Sequence, residues 1–405
     1  MQYPIIIIGG GAAGLMAAVT AANMGKKVLV LEKMPRPARK IMITGKGRCN
    51  LTNNTDEKTL IANVCRNGRF LYSAFSRFNA DDTMRFFEDA GVPLKTERGN
   101  RVFPVSDKSV DIVDALVNSA KSAGVKILNK QVSDILTSNG AVVGVKTESC
   151  EVFECQSLLI ATGGLSYPTT GSTGDGFDFA RKLGHTVTPL RPSLVSMQVY
   201  EGYVETLSGL SLKNVALTVI NNGKTTFSGQ GEMLFTHTGI SGPLVLTASA
   251  LTDDVGECRA LIDLKPALSV EQLDKRLLRD FEQSKNKELQ NSLDALLPKK
   301  LILPLIKSAG IDPKVKVNAL TKEQRLCLVK TLKALPLTVT GLGSFNEAVI
   351  TRGGVSVKEI DPKTMASKLV DGLYFAGEVI DVDAFTGGFN LQIAFSTGHL
   401  AGENI

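Results

Sequence analysis

Three glycines spaced Gly9-x-Gly11-x-x-Gly14 follow directly on the run Ile5-Ile6-Ile7-Ile8, and their chemistry is the most legible in the chain. The first glycine permits a tight turn, the second lets a diphosphate approach the backbone, and the third lets a helix lie close on a strand. The N-terminus of the helix that follows offers free N–H groups and a positive dipole end to the diphosphate. Glu32 sits where an acid can accept hydrogen bonds from both hydroxyls of an adenosine ribose. An acid there also disfavours a 2′-phosphate. The elements that position these residues are readable too. Four isoleucines read as a strand buried on both faces, in a parallel sheet. Leu15 to Met24 is an alanine-rich helix stopped by Gly25, and Val28 to Leu31 is a second strand. Together they predict dinucleotide binding. FAD and NAD stay open on these residues alone.

A basic, glycine-punctuated stretch follows from Lys33 to Asn53 and contains Arg36, Arg39, Lys40, Lys46 and Arg48. Its place after the ribose-binding strand suits a segment folded over a cofactor; the alternative is an exposed basic loop. Six scattered cysteines form no C-x-x-C pair, which argues against a disulfide reductase. Three histidines without ligand spacing argue against a metal site.

Composition is that of an ordinary globular protein, 43% hydrophobic and 21% charged. Ile5 to Ala22 is apolar enough to raise a membrane span. The strand-turn-helix grammar argues against one, and no basic segment precedes it to mark a secretory signal. A cytoplasmic protein with no membrane partner is expected. The net charge of +6 is unevenly spread: Lys299 to Lys333 holds nine basic residues against Asp312 and Glu323, a local +7. Such a stretch suits an anionic partner such as RNA, or is simply a solvated helix face.

The texture changes along the chain. Residues up to 190 alternate helices and strands, with a hairpin turning at Asn139-Gly140 and a buried strand ending in the small residues Ala161, Thr162 and Gly163. Small residues at a strand's carboxyl end mark backbone close to a bound cofactor. Residues 193–264 read as β-rich, and 269–335 as helical and basic. After 342 the chain returns through a short strand to a helix beginning near Phe389 to Leu391. The expected fold is therefore α/β, with a discontinuous Rossmann domain (1–190 plus 343–405), an inserted β-rich domain (191–268 with 336–342) and a small helical domain (269–335).

Six blocks recur in this order in one group of proteins: Gly9 to Gly14, RKIMITGKGRCNLTN, ATGGLSYPTTGSTGDG, GEMLFTHTGISGP, TRGGVSVKEI and GLYFAGEVIDVDAFTGGFNLQIAFSTG. The chain thus resembles the YhiN/BaiN-like family of NAD(P)/FAD-dependent oxidoreductases, three-domain bacterial flavoproteins similar to aminoacetone oxidase. The resemblance covers essentially the whole chain, and its RCNLTN and GGFNLQ blocks are more specific than the glycines. It implies a glutathione-reductase-like FAD domain and settles FAD over NAD. By resemblance Gly9, Gly11, Ala12, Ala13 and Gly14 hold the pyrophosphate, and Glu32 with Lys33 the ribose. Lys40, Thr44 and Gly45 lie along the cofactor, with Lys40 towards its phosphates. Val132 faces adenine through its backbone, and Ala161 to Gly163 line the site. Gly377, Glu378, Asp381 and the turn Gly388, Phe389, Asn390 and Leu391 hold the ribityl and isoalloxazine groups. N–H groups at that helix start suit charge developing on the reduced ring.

Substrate-side candidates are Arg48, Cys49, Asn50, His237, Thr238 and Arg352. His237, between Thr236 and Thr238, is the candidate general acid. Cys49 is a candidate nucleophile or a small packing residue. His185 and His399 read as structural, and Asp175 as a helix cap or cofactor-side contact. Three functions follow. The first is an ene-reductase, for which the resemblance implies a bile-acid-like enone or uridine of large-subunit ribosomal RNA as substrate; the second, also implied by the resemblance, is an oxidase of a small amino ketone using O2. The third is a flavin-containing RNA-binding or assembly factor. No second complete dinucleotide unit is seen, so NAD(P)H would visit only transiently.

Overall fold

The computed structural model describes residues 3–252 and 254–405. The apolar, β-branched strands stack into a five-stranded parallel sheet ordered Leu373–Phe375, Ser157–Ile160, Ile5–Ile8, Val28–Glu32 and Lys126–Asn129. Ile5–Ile8 occupies the centre and is buried throughout, as its unbroken apolar run requires. The first helix, Ala12–Asn23, crosses one face, with nine of its residues buried.

A three-stranded antiparallel sheet carries Val132–Ser138, Ala141–Thr147 and Val152–Glu154. The hairpin turns at Asn139 and Gly140, both at positive φ (50° and 81°), the conformation that an Asn-Gly turn supplies. Two compact units result. One comprises Met1–Ser193 with Ser344–Ile405; the other is Leu194–Gly343. The second unit is built on a closed six-stranded barrel ordered Met197–Val199, Gly239–Ser241, Lys224–Phe235, Ser211–Asn221, Cys258–Asp263 and Leu335–Leu342. Helices Val270–Glu282, Lys299–Ser308 and Lys322–Lys333 share one hydrophobic core with that barrel, through residues such as Leu277, Leu305 and Leu328. Among the described residues no helix is long and apolar enough to cross a membrane.

The last helix, Phe389–Asn404, lies on the first with backbone nearly touching backbone. A Cβ on Gly398 would fall 2.3 Å from the Ala13 carbonyl oxygen, and one on Gly402 would fall 2.5 Å from that of Ala17. Alanine on one helix and glycine on the other make this approach possible. Gly398→Ala should therefore destabilise the protein by about 1–3 kcal/mol in urea unfolding. Gly25→Asn, where a Cβ meets nothing within 4 Å and φ is +81°, should cost less, because Asn tolerates the left-handed region. Equal losses at the two sites would contradict this packing account.

Candidate cofactor site

The glycine turn is held by contacts that exclude side chains. A Cβ on Gly14 would lie 1.9 Å from the Gly9 carbonyl oxygen, and one on Gly9, at φ +101°, would lie 2.5 Å from that of Ala161. Gly11 differs: a Cβ there meets nothing within 4 Å, so its backbone faces open space. Gly11 is also the N-cap of the first helix, and no side chain caps it. The amides of Ala12, Ala13 and Gly14 precede the first intrahelical bond, Leu15 N–H to Gly11 C=O, and so are available to an anion.

Glu32 spans this turn. Its Oε2 accepts from the Gly10 N–H at 2.6 Å and its Oε1 from the Met34 N–H at 2.7 Å. Each oxygen keeps lone-pair capacity for a ribose hydroxyl. A cavity lies at the carboxyl ends of the strands, lined by Gly9, Glu32, Lys33, Val132, Thr162 and Asp175 among others. That is where open α/β sheets take their ligands. The Lys33 ammonium is bound to Asp175 at 2.6 Å. Asp175 is therefore not a cap, as one reading of the sequence has it: Gly174 is the N-cap of Asp175–Lys182 and no side chain caps that helix.

Further along the chain, sequence-distant motif residues are stitched together. Lys40 and Glu378 form an ion pair of 2.6 Å. The other Glu378 oxygen accepts from the Ser166 hydroxyl at 2.7 Å and the Thr351 N–H at 2.8 Å. The RCNLTN block clasps the GGFNLQ block. Thr52 donates to Gln392 Oε1 at 2.5 Å, and the Asn53 amide donates to the Gly387 carbonyl at 3.0 Å. A Cβ on Gly388, at φ +99°, would lie 2.3 Å from the Thr52 oxygen. Asn390 closes its own loop by bonding both the N–H and the C=O of Ala384. Gly388 is the uncapped N-cap of the last helix, so the amides of Phe389, Asn390 and Leu391 are its first-turn donors. Thr44 and Gly45 form the turn before this clasp, with Gly45 at φ +56° and its Cβ position 2.9 Å from the Asn50 nitrogen.

Several substrate-side expectations change in the structure. Cys49 is fully buried, and desolvation pushes its thiol up to about 12. A thiol held protonated in this way is a packing residue and not a nucleophile. Arg48 stacks on Phe103, 4.2 Å from the ring centroid, and is bound to Glu97 and to Asp107 at 2.6 Å. Its charge is already committed. His237 and Thr238 are exposed in the tight turn before Gly239–Ser241, in the other unit. Arg352 is buried, paired in register with Arg191. His185 bonds Ser367 through Nε2 at 2.8 Å, and His399 stacks on Phe78 at 4.5 Å. Burial pushes both imidazoles below their ordinary value, as structural roles require.

The buried polar atoms without a partner show what the site holds in reserve. Asn50 Oδ1, Thr162 Oγ1, Asp381 Oδ1 and Asp383 Oδ1 are of this kind. Native interiors rarely leave such atoms unpaired without an ordered water, an ion or a ligand to satisfy them. Thr162 lines the nucleotide cavity; Asn50 lies two residues before Thr52, and Asp381 seven before Gly388. With the open face of Gly11, this donor and acceptor set fits FAD. Asp383 is absent from the sequence-derived set. Its signal was present in the alternation Asp381-x-Asp383 inside an apolar run. Asp383 is 0% exposed and accepts from the Ser193 hydroxyl at 3.2 Å. Desolvation raises its carboxyl to about 6, Ser193 and Arg66 oppose the rise, and Asp381 and Glu378 add to it.

Two outcomes follow. With its folded value raised from 3.8 to about 6, Asp383 favours the fold while protonated, and that contribution is lost as pH rises through about 6. Asp383→Asn should then gain up to about 3 kcal/mol over the parent at pH 8 and little at pH 4, in thermal unfolding; a pH-independent difference would contradict this. In native protein treated with a thiol reagent, exposed Cys150 and Cys327 should label and Cys49 should not, as read by peptide mass mapping.

The HI0933-like protein Rossmann domain family matches residues 3–404. A ribosomal RNA dihydrouridine synthase of Haemophilus influenzae is 34% identical, over 99% of this chain and 98% of that protein. A 3-dehydro-bile acid delta(4,6)-reductase of Clostridium scindens is 30% identical, over 98% and 97%. The solved 3-ketosteroid-delta4-(5alpha)-dehydrogenase of Rhodococcus jostii RHA1 shares the fold at a TM-score of 0.52 and 16% identity, covering 100% of this chain and 96% of that one. The chain thus belongs to the HI0933-like family, and is an FAD-dependent oxidoreductase.

Proposed function

We propose that the protein is an ene-reductase that saturates a C=C bond conjugated to a carbonyl, with uridine of ribosomal RNA as its substrate. The observation that carries this reading is the shared chemistry of two relatives spanning the whole chain. One is named for a delta(4,6)-reduction of a 3-dehydro bile acid, the other for making dihydrouridine. Dihydrouridine is uridine with its C5=C6 bond saturated, so both names describe one reaction type. The excess of nine basic over two acidic residues in 299–333 favours the nucleic acid.

FAD, when bound and reduced, supplies the hydride. The residues of the chain bind it, orient it and manage charge. Amides of Ala12, Ala13 and Gly14 take the diphosphate, and Glu32 takes the ribose hydroxyls. Asn50 Oδ1 and Asp381 Oδ1 accept from hydroxyls of the ribityl chain. First-turn amides of the last helix stabilise negative charge on the ring edge. Saturating the bond also takes a proton, delivered by an acid of the chain or by water. Among the described residues there is one parallel nucleotide-binding sheet and a barrel, so NADH or NADPH meets the cofactor transiently.

The deciding experiment reduces the purified protein anaerobically and mixes it separately with O2 and with ribosomal RNA. Reoxidation by RNA with dihydrouridine formed is expected. Rapid reoxidation by O2 with RNA inert would replace this reading with a small-molecule oxidase.

A further inference from the structure

The basic segment acquires a pattern once its helices are placed. On Lys299–Ser308, residues Leu301, Ile302, Leu305 and Ile306 are buried, while Lys299, Leu303 and Lys307 are exposed. On Lys322–Lys333, residues Leu328, Val329 and Leu332 are buried, while Lys322, Leu326 and Lys330 are exposed. Each helix therefore presents the same stripe, lysine, leucine, lysine, at four-residue spacing. Residues so spaced share a helix face, and the two lysines of a stripe stand about 12 Å apart along the axis. The two helices pack against each other in one core. Lys300, Lys314 and Lys316 are exposed on the same segment.

The charges divide into two groups. Arg325 is bound to Asp274 at 2.7 Å and Lys333 to Asp263 at 2.6 Å, both mostly buried. These two serve the unit's own architecture. The seven exposed lysines have no ion pair among the described residues. Elsewhere surface lysines of this chain do find carboxylates, as in Lys95 with Asp107 and Lys130 with Glu151. The segment's own acids are engaged locally. Asp312 accepts from the Lys314 N–H at 3.0 Å, and Glu323 sits in the first turn of its helix, held below the usual carboxylate range by its own amide and Thr321. A solvated face normally intermixes signs; here seven exposed lysines stand against only Asp312 and Glu323.

We propose that the face carrying Lys299, Leu303, Lys307, Lys322, Leu326 and Lys330 is a docking surface for the phosphate backbone of structured RNA. The proposal rests on the reading of RNA as substrate carrier and names the surface that reading lacks. Lysine is a compact point charge that suits phosphates without base readout. The face therefore supplies affinity and register, and leaves the choice of uridine to other residues. One exposed leucine per helix offers contact to sugar edges and is too little apolar area to enter a bilayer.

The test uses the FAD-loaded full chain and a transcribed fragment of large-subunit ribosomal RNA, with affinity measured over a range of salt. Replacing Lys299, Lys307, Lys322 and Lys330 together by Gln should weaken binding about 30-fold or more at physiological salt. It should also lower the slope of log K against log salt by about 3. Lys307→Gln with Lys330→Gln should give about half that slope change. Replacing exposed Lys27, Lys58, Lys121 and Lys363 by Gln should change neither. Wild-type affinity and slope in the fourfold variant overturn the proposal, as does a loss confined to phosphatidylserine vesicles. The two readings separate cleanly. Dihydrouridine formed by the parent with unaltered RNA binding in the variant removes the surface and keeps the substrate. RNA affinity lost in the variant, with no dihydrouridine formed by the parent, keeps the surface and removes the substrate.

Discussion

The first and last helices meet backbone to backbone, and the nucleotide-binding unit depends on that contact. Gly398 and Gly402 lie against the carbonyls of Ala13 and Ala17, at distances where a side chain would push the helices apart. Gly377 adds a third close approach, its Cβ position 2.8 Å from the Ala13 methyl. Residues at the two ends of the chain are thereby locked together across an insertion of 150 residues. The contact also binds the helix that begins at the glycine turn to the helix that begins at Gly388. Two uncapped helix starts, each with first-turn amides to donate, come from this one packed pair.

Around that pair, polar contacts explain why the family's most specific blocks are specific. Thr52, Thr83 and Ser396 converge on Gln392, which is fully buried and also donates to the Phe78 carbonyl at 3.1 Å. Such a network is stable only when every member is satisfied. Replacing any one of these residues would strand the others in a dry interior. Asn53 and Asn390 act in the same way on the turn that precedes the last helix. These motif residues shape the site more than they touch what it binds. The atoms left over for a ligand are few, and they are conspicuous because everything around them is paired.

The acids behave differently from the amides. Asp381 and Asp383 are buried with an unpartnered oxygen each, and desolvation raises both carboxyls. Arg66 offsets part of that cost for each of them. Both carboxyls thus cost the fold stability at neutral pH. The second unit makes the opposite choice. Its barrel and helices share an apolar core, and its unpaired charge is placed outside.

Elements whose signal is local are legible from residue order alone. The buried run Ile5–Ile8, the glycine spacing, Glu32 at a strand end and the Asn139-Gly140 turn each follow from backbone conformations that only certain residues adopt. The insertion of a β-rich stretch between two halves of a nucleotide-binding unit was legible from texture in the same way. Tertiary structure decided what depends on partners far away in the chain. Strand alternation does not reveal closure, so the six strands became a barrel only through pairings such as Met197 with Leu342. Arg48 reads as a free cation until Glu97 and Asp107 are brought to it. Cys49 reads as either a nucleophile or a packing residue until its burial removes the thiolate. Asp383 reads only as one of two alternating acids in an apolar run until the fold closes over it and raises its carboxyl. Charge, burial and reactivity are properties of surroundings, and the surroundings are assembled by the fold.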